Sequence, residues 1–493
     1  MLEIQPKLNL SPYGQLYDLL IPKDDELRRI HDEIDLSFVF TELEKKYCKD
    51  NGRMAEDPIR MFRYLLLKVI CDLSDASVVR RAKTDLLFKY FLDLAPEETH
   101  LIDPSSLAKF RKLRLKDADL MNLLIGKTIS EAKHRGLIKK GTIIIDATHS
   151  SARAISYNPV DYLSLRINRL RKALEPLCPA LADSFPKTPS TKDVSEMLEH
   201  CRVLVALVRK DEIAMEIPAA KNHLELLEEA MDDALTRTRL SYDREARGGH
   251  KSPTNTFFGT KEHLAIESDT GLICGVVVTS GEKTDDKYLK PLVEQSRQNG
   301  IDVTEAIADK AYSTAENLDY ASGQAEGEED QEGNFTLYSE IKKNVSNVIN
   351  KTDGFVFNKD ADRMECPAGH LAKRKMYHRA KENKKALYEY WFDVELCKQC
   401  PLRDGCYRPG AKHKTYTQTL LPDMHKEHLE FEKTPEFREK MRLRYKIEAK
   451  NADLKHNYGL ERASSYGLEN MTMQTALSVF ACNLRRLMRL TKA

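Results

Sequence analysis

Two short apolar runs in this chain each lead into an aspartate, and they constrain the fold more than any other feature. Thr142-Ile143-Ile144-Ile145 runs into Asp146, and Ala306-Ile307-Ala308 runs into Asp309. Short β-branched or apolar runs of this kind read as buried strands. The chain therefore has to build a sheet in which two inner strands end on carboxylates. A third acid, Glu448, lies in a long charged segment, with Arg444 four residues before it and Lys455 seven residues after it. On a helix, those intervals put all three on one face. Two strand-end carboxylates plus one on a helix can hold a pair of Mg²⁺ ions, because hard cations take oxygen ligands. Two such ions would clamp the attacking and leaving oxygens of a phosphodiester. Each residue taken alone has a plainer reading. A lone Asp is a cap or turn residue, and Arg444 with Glu448 is a surface pair worth roughly 0.3 kcal/mol.

The order of elements around these acids predicts a mixed α/β chain. Up to about residue 135 it reads as helical, with Pro58 opening an apolar helix, Leu73-Ser74-Asp75 ending it and capping the next, and Asp103-Pro104-Ser105-Ser106 capping a short basic helix. That last helix displays Lys109, Arg111, Lys112 and Arg114, in a series resembling a helix-turn-helix whose second helix enters the major groove. The alternative is a helical bundle that only orders the N-terminal region.

The sheet starts near Gly141. Residues 160 to 245 read as a helical insertion, with a break at Pro218 and Val203, Leu207, Ile213, Leu224, Leu227 and Leu235 at roughly helical spacing. Strands resume at 257–266 and 271–278, joined by a hairpin at Gly271. A helix opened by Asp285-Asp286-Lys287 precedes the Asp309 strand. Residues 318 to 430 form a second interruption, with strand-like pieces at 354–357 and 387–392. An apolar helix at 472–484 closes the chain and is expected to pack on the sheet.

This second interruption carries two further signals. Cys366, Cys397, Cys400 and Cys406 are spaced to suit a tetrahedral, structural Zn²⁺, with His370 as a rival ligand; reduced cysteines packed as small apolar groups are the plainer reading. Between Cys366 and Lys414 there are twelve Lys and Arg against five Asp and Glu. That local excess matters because the net charge of the 493-residue chain is only +1, while phosphate neutralisation supplies most non-specific DNA affinity. The acidic run 326–332 offsets some of it. Trp391, the only Trp, lies among these cations, where it would stack on an unpaired base or anchor the insertion's sheet. Lys261 and His263 on the second strand read as phosphate contacts or sheet-edge residues, and His149 as a local hydrogen-bond partner. No apolar run of about 18 residues is present to span a membrane. The N-terminus lacks a signal-peptide pattern, and the scattered cysteines suit a reducing cytosol.

The same residues carry a family resemblance. Ile143-Ile144-Ile145-Asp146-Ala147-Thr148 and Ala308-Asp309-Lys310-Ala311-Tyr312 resemble the first two acidic motifs of the DDE transposases of bacterial insertion sequences. Arg444, Glu448 and Lys455 fit the third, with Met441 where that family has a Tyr. The segments 31–38 and 103–111 resemble the helical domain often joined to the core. The resemblance implies a helical DNA-binding domain over 1–135. It implies an RNase H-like catalytic core over 136–317 and 431–493, interrupted by an insertion over 318–430. It also implies catalysis by Asp146, Asp309 and Glu448 holding two Mg²⁺ ions, with Mn²⁺ as a substitute, and phosphate contacts by Arg444 and Lys455. The substrate would be double-stranded DNA, as terminal inverted repeats and target, handled by a homodimer in a bacterial cytoplasm. The alternatives are a domesticated DNA-binding descendant and another RNase H-like nuclease.

Overall fold

The computed structural model describes residues 11–48, 54–116, 119–250, 256–323, 334–341, 354–358, 361–378, 387–404, 406–408, 410–419 and 423–492. The acidic run 326–332 and the cations at 379, 381, 384 and 385 lie outside them.

Six strands make one curled mixed sheet: β1 (Thr142–Ser151), β2 (Arg247–His250), β3 (Thr256–Glu267), β4 (Ile273–Ser280), β5 (Glu305–Ala308) and β6 (Thr336–Tyr338). β3 lies antiparallel to β1 and carries both β2 and β4 on its other edge. β5 runs parallel to β1, and β6 parallel to β5. The β3–β4 hairpin turns at Gly271, whose φ of 68° suits a residue without Cβ. The Glu267 carboxylate accepts from the backbone N–H of Asp269 and Thr270 and closes the turn. At Gly259 the strands run so close that a Cβ would stand 1.9 Å from the Ser150 carbonyl oxygen.

β1 is longer than its apolar run. It continues five residues beyond Asp146, through His149 to Ser151, so Asp146 stands within the strand and not at its end. The ladder to β3, from Ile143↔Glu267 to Ser151↔Gly259, supplies the reason. Edge pairing keeps polar residues extended where hydrophobicity gives no signal.

The expected helical insertion folds on its own core between β1 and β2, and backbone bonds between Tyr157 and Leu240 close its neck. Its apolar phase differs from the expected one. Val203, Ile213 and Leu235 are exposed, and Leu204 and Val208 point inward instead. The helix Val194–Lys210 stops at Asp211, which caps a new short helix, and Pro218 starts another. Each restart resets the periodicity that a single continuous helix would have kept.

N-terminal helices and the sheet share one hydrophobic core, running from Leu27 to Met488. The final helix, Leu468–Leu490, is its axis. It packs on Leu120–His134, on Pro58–Ile70 and on β4. Buried Asn483 pins it to the sheet, accepting from Ile273 N at 2.9 Å and donating to Ile273 O at 2.8 Å. The second interruption contributes a hairpin of β7 (Val356–Asn358) and β8 (Arg363–Glu365). It also contributes a sheet of β9 (Arg374–His378), β10 (Leu387–Phe392) and β11 (Lys414–Thr419). Among the described residues no helix is long and apolar enough to cross a membrane.

Candidate active site

The register between β1 and β5 builds the site. It pairs Thr142 with Glu305 and ends at Ile145 with Ala308. The next residue on each strand is an aspartate, so Asp146 and Asp309 sit level on neighbouring parallel strands, whose spacing is roughly 4.8 Å. Ser339 Oγ donates to the Asp309 carbonyl at 2.7 Å, and the Lys310 N–H donates to the Asp309 carboxylate at 2.7 Å.

The helix Tyr445–Asn457 lies against β1 and buries Ile447, Asn451 and Leu454. It touches both aspartates. Arg444, its N-terminal flanking residue, places Nη1 3.5 Å from Asp309 Oδ1. Asn451 Nδ2 donates to Asp146 Oδ2 at 3.0 Å. Glu448 is exposed and lies one turn after Arg444 and one turn before Asn451, on the face those two contacts define. The pair that formed in place of Arg444 with Glu448 is therefore Arg444 with Asp309.

Burial, above all, pushes the Asp146 carboxyl up to about 6, and the negative charges of Asp309 and Asp285 add to it. The Ala147 N–H and the Arg444 guanidinium pull the other way. Tyr312, three residues beyond Asp309, is buried with its hydroxyl unpaired among the described residues. Burial raises its pKa well above the ordinary value, followed by the charges of Asp285, Asp146, Asp309 and Asp286. The site is thus a concentration of negative charge at the edge of the core, with Arg444 as its near cation.

Several sequence-predicted contacts turn inward. Lys455 lies near Glu262, a wholly buried acid on β3 whose Oε2 has no partner among the described residues. Burial raises the Glu262 carboxyl to about 7, and Thr260, Ser150 and the Lys455 charge oppose that rise. Lys261 donates to the Lys283 carbonyl at 2.7 Å and to Asp285 at 2.9 Å. His263 is buried, stacked on Tyr288 at 4.1 Å, and lowered to about 4 chiefly by burial. His149 packs on Phe257. Arg111 pairs with Asp75, while Arg114 donates to the Lys46 carbonyl and lies over the Tyr47 ring. Of the four cations on that segment, Lys109 and Lys112 are the exposed ones. The sequence shows helical spacing but not partners, and acids and carbonyls from distant segments claim the other two.

Trp391 pairs across the sheet with Arg374 and Thr415 and meets His413 edge-on at 4.8 Å. Its neighbours Tyr390 and Phe392 supply the insertion's small core, so Trp391 is on the opposite face.

Cys366, Cys397, Cys400, Cys406 and His370 line one cavity. Burial raises the Cys397 thiol, and the other three sulfurs reinforce it. Nevertheless, among the described residues no three His, Cys, Asp or Glu side chains stand close enough to share an ion. This counts differently for the two metals expected. Structural zinc takes nearly all its ligands from protein, so the cysteine cavity does not fit zinc as it stands, and three of its cysteines pack against the insertion's small apolar core. Magnesium is held by one or two carboxylates, with water and substrate phosphate completing the shell. Level Asp146 and Asp309 fit that donor set, and the unpaired, buried Asn451 Oδ1 lies beside Asp146.

Sequence reasoning missed Asn451, Glu262 and Asp285. Asn451 was legible in outline, since it falls on the face of Arg444, Glu448 and Lys455. Glu262 showed as an acid alternating with Leu264 on an otherwise apolar strand face. Asp285 read only as the opener of the helix before the Asp309 strand, with no signal that it would face Asp146.

Two family models match the chain. One, described as Transposase domain (DUF772), covers residues 15–113. The other, described as Transposase DDE domain, covers residues 365–488 and so includes Glu448 and Asn451. No curated protein and no solved structure matches.

Proposed function

As the chain is a DDE transposase of an insertion element, we propose that it cuts and joins DNA at Asp146, Asp309 and Glu448. The observation that carries this reading is the geometry of the two aspartates. Parallel register sets them level, and the helix bearing Glu448 contacts one on each side of that residue. The strand order β4-β3-β1-β5-β6, antiparallel and then parallel, supports an RNase H-like core.

In this mechanism Asp146, Asp309 and, from the helix, Glu448 would hold two divalent cations. Such ions supply charge stabilisation at both the attacking and the leaving oxygen of a phosphodiester. The chain orients the ions and the DNA. Arg444, already at Asp309, is placed to meet a phosphate beside the ions. Lys109 and Lys112, the exposed cations of the 109–114 segment, are the N-terminal contacts proposed for end DNA. Terminal inverted repeats are the substrate, and holding two ends at once calls for two copies of the chain.

The test uses labelled end DNA with Mg²⁺. Asp309→Asn and Glu448→Gln are expected to lose cleavage and strand transfer by at least about 1,000-fold, roughly 4 kcal/mol of transition-state stabilisation, while end-DNA affinity stays within about threefold. Cleavage near the wild-type rate by either variant would remove that residue from the site.

A further inference from the structure

We infer that Asn451 is a positioning residue of this site, fixing the Asp146 carboxylate and setting its distance from the helix that carries Glu448. The inference rests on the proposed cleavage site. Asn451 is 9% exposed and belongs to the same helix face as Glu448, one turn away. Side chains at that separation have Cβ atoms roughly 5–6 Å apart. Its amide nitrogen donates to Asp146 Oδ2 at 3.0 Å. A carboxylate can only accept, so this end of the amide is the NH₂ and the other is the carbonyl oxygen. That oxygen, Oδ1, is buried and has no partner among the described residues.

A buried amide with one end unmatched costs stability unless something completes it. Ile447 and Leu454, the other buried residues of this helix, cannot donate to Oδ1 from their side chains. Water on a divalent cation held by Asp146 is a donor of the right kind. One amide would then do two things. It would hold a ligand carboxylate in a single orientation, and it would accept a hydrogen bond from the cation's hydration shell. Groups in that position commonly change metal affinity by roughly 10–100-fold when removed. Apolar packing against β1 by itself does not call for an amide at 451.

The experiment uses the full chain without DNA and titrates Mn²⁺ by calorimetry. It then follows Mg²⁺ dependence of cleavage on end DNA. Asn451→Leu and the smaller Asn451→Ala, which cannot clash, are each expected to weaken Mn²⁺ binding by roughly 10–100-fold. The Mg²⁺ concentration for half-maximal cleavage should rise to match, with end-DNA affinity in chelator unchanged. A purely structural asparagine would lower thermal stability and leave both metal readings where they were. Metal affinity within twofold of wild type in Asn451→Ala, while Asp309→Asn and Glu448→Gln still abolish cleavage, would overturn this inference and leave the site assignment standing. Retention of cleavage by those two variants would instead remove the site on which it rests.

Discussion

Replacing Asp146 by Asn should destroy cleavage and at the same time stabilise the metal-free protein. The fold holds this carboxyl at about 6, above its ordinary 3.8, with burial as the main cause. The ionised form is therefore disfavoured in the native state. For a carboxyl raised in this way, the penalty is absent below the unfolded value and grows as pH climbs through 3.8 towards 6. At pH 7 it reaches about 3 kcal/mol, at pH 5 about half that, and below pH 4 almost nothing. Asparagine is never charged, keeps an oxygen to accept from Asn451, and matches the shape. Denaturant unfolding of wild type and Asp146→Asn in chelator, at pH 7 and pH 4.5, measures the difference. The gain should be largest at pH 7 and shrink towards acid. Saturating Mg²⁺ should reverse the order, because binding to the native state stabilises only the protein that binds. A mutant less stable than wild type at pH 7, or a gain that ignores pH, would refute the reasoning and make Asp146 an ordinary structural residue.

Lys455 offers a contrasting case. Lys455→Met should lose stability at pH 8, where buried Glu262 ionises, and almost none at pH 5, where Glu262 is protonated in either protein; Glu262→Gln in the same chain should restore most of the loss, since the lysine charge opposes the burial penalty on that carboxylate. End-DNA affinity of Lys455→Met, measured across salt, should keep its slope if the lysine serves Glu262. By contrast, Lys109→Ala and Lys112→Ala should each flatten the log–log salt dependence of end binding by roughly 0.9. An unchanged slope in both variants would place DNA elsewhere on the N-terminal helices.

Much of the local structure was legible before any coordinates. Pro58, Ser74 and Asp103 mark helix starts in the sequence, and Ser74 and Asp103 cap with their side chains as their chemistry dictates. The apolar runs before Asp146 and Asp309 announce buried strands, and the run at 472–484 announces the core helix. These signals are local, written in residues a few positions apart, and they survive without knowledge of partners. The spacing of Arg444, Glu448 and Lys455 likewise fixed a shared helix face.

What those faces meet was decided by tertiary structure. Only pairing between strands more than 150 residues apart sets Asp146 level with Asp309, and only the ladder to β3 extends β1 through polar residues. Packing of the site helix assigned Arg444 to Asp309, Asn451 to Asp146 and Lys455 to the neighbourhood of Glu262. Packing likewise gave Arg111 and Arg114 partners within the fold and gave Tyr390, not Trp391, a buried position in β10. Secondary structure follows from short-range periodicity, which a sequence displays. The role of a charged side chain follows from which distant opposite charge or carbonyl reaches it first, and from how much water remains. Both are properties of the assembled fold.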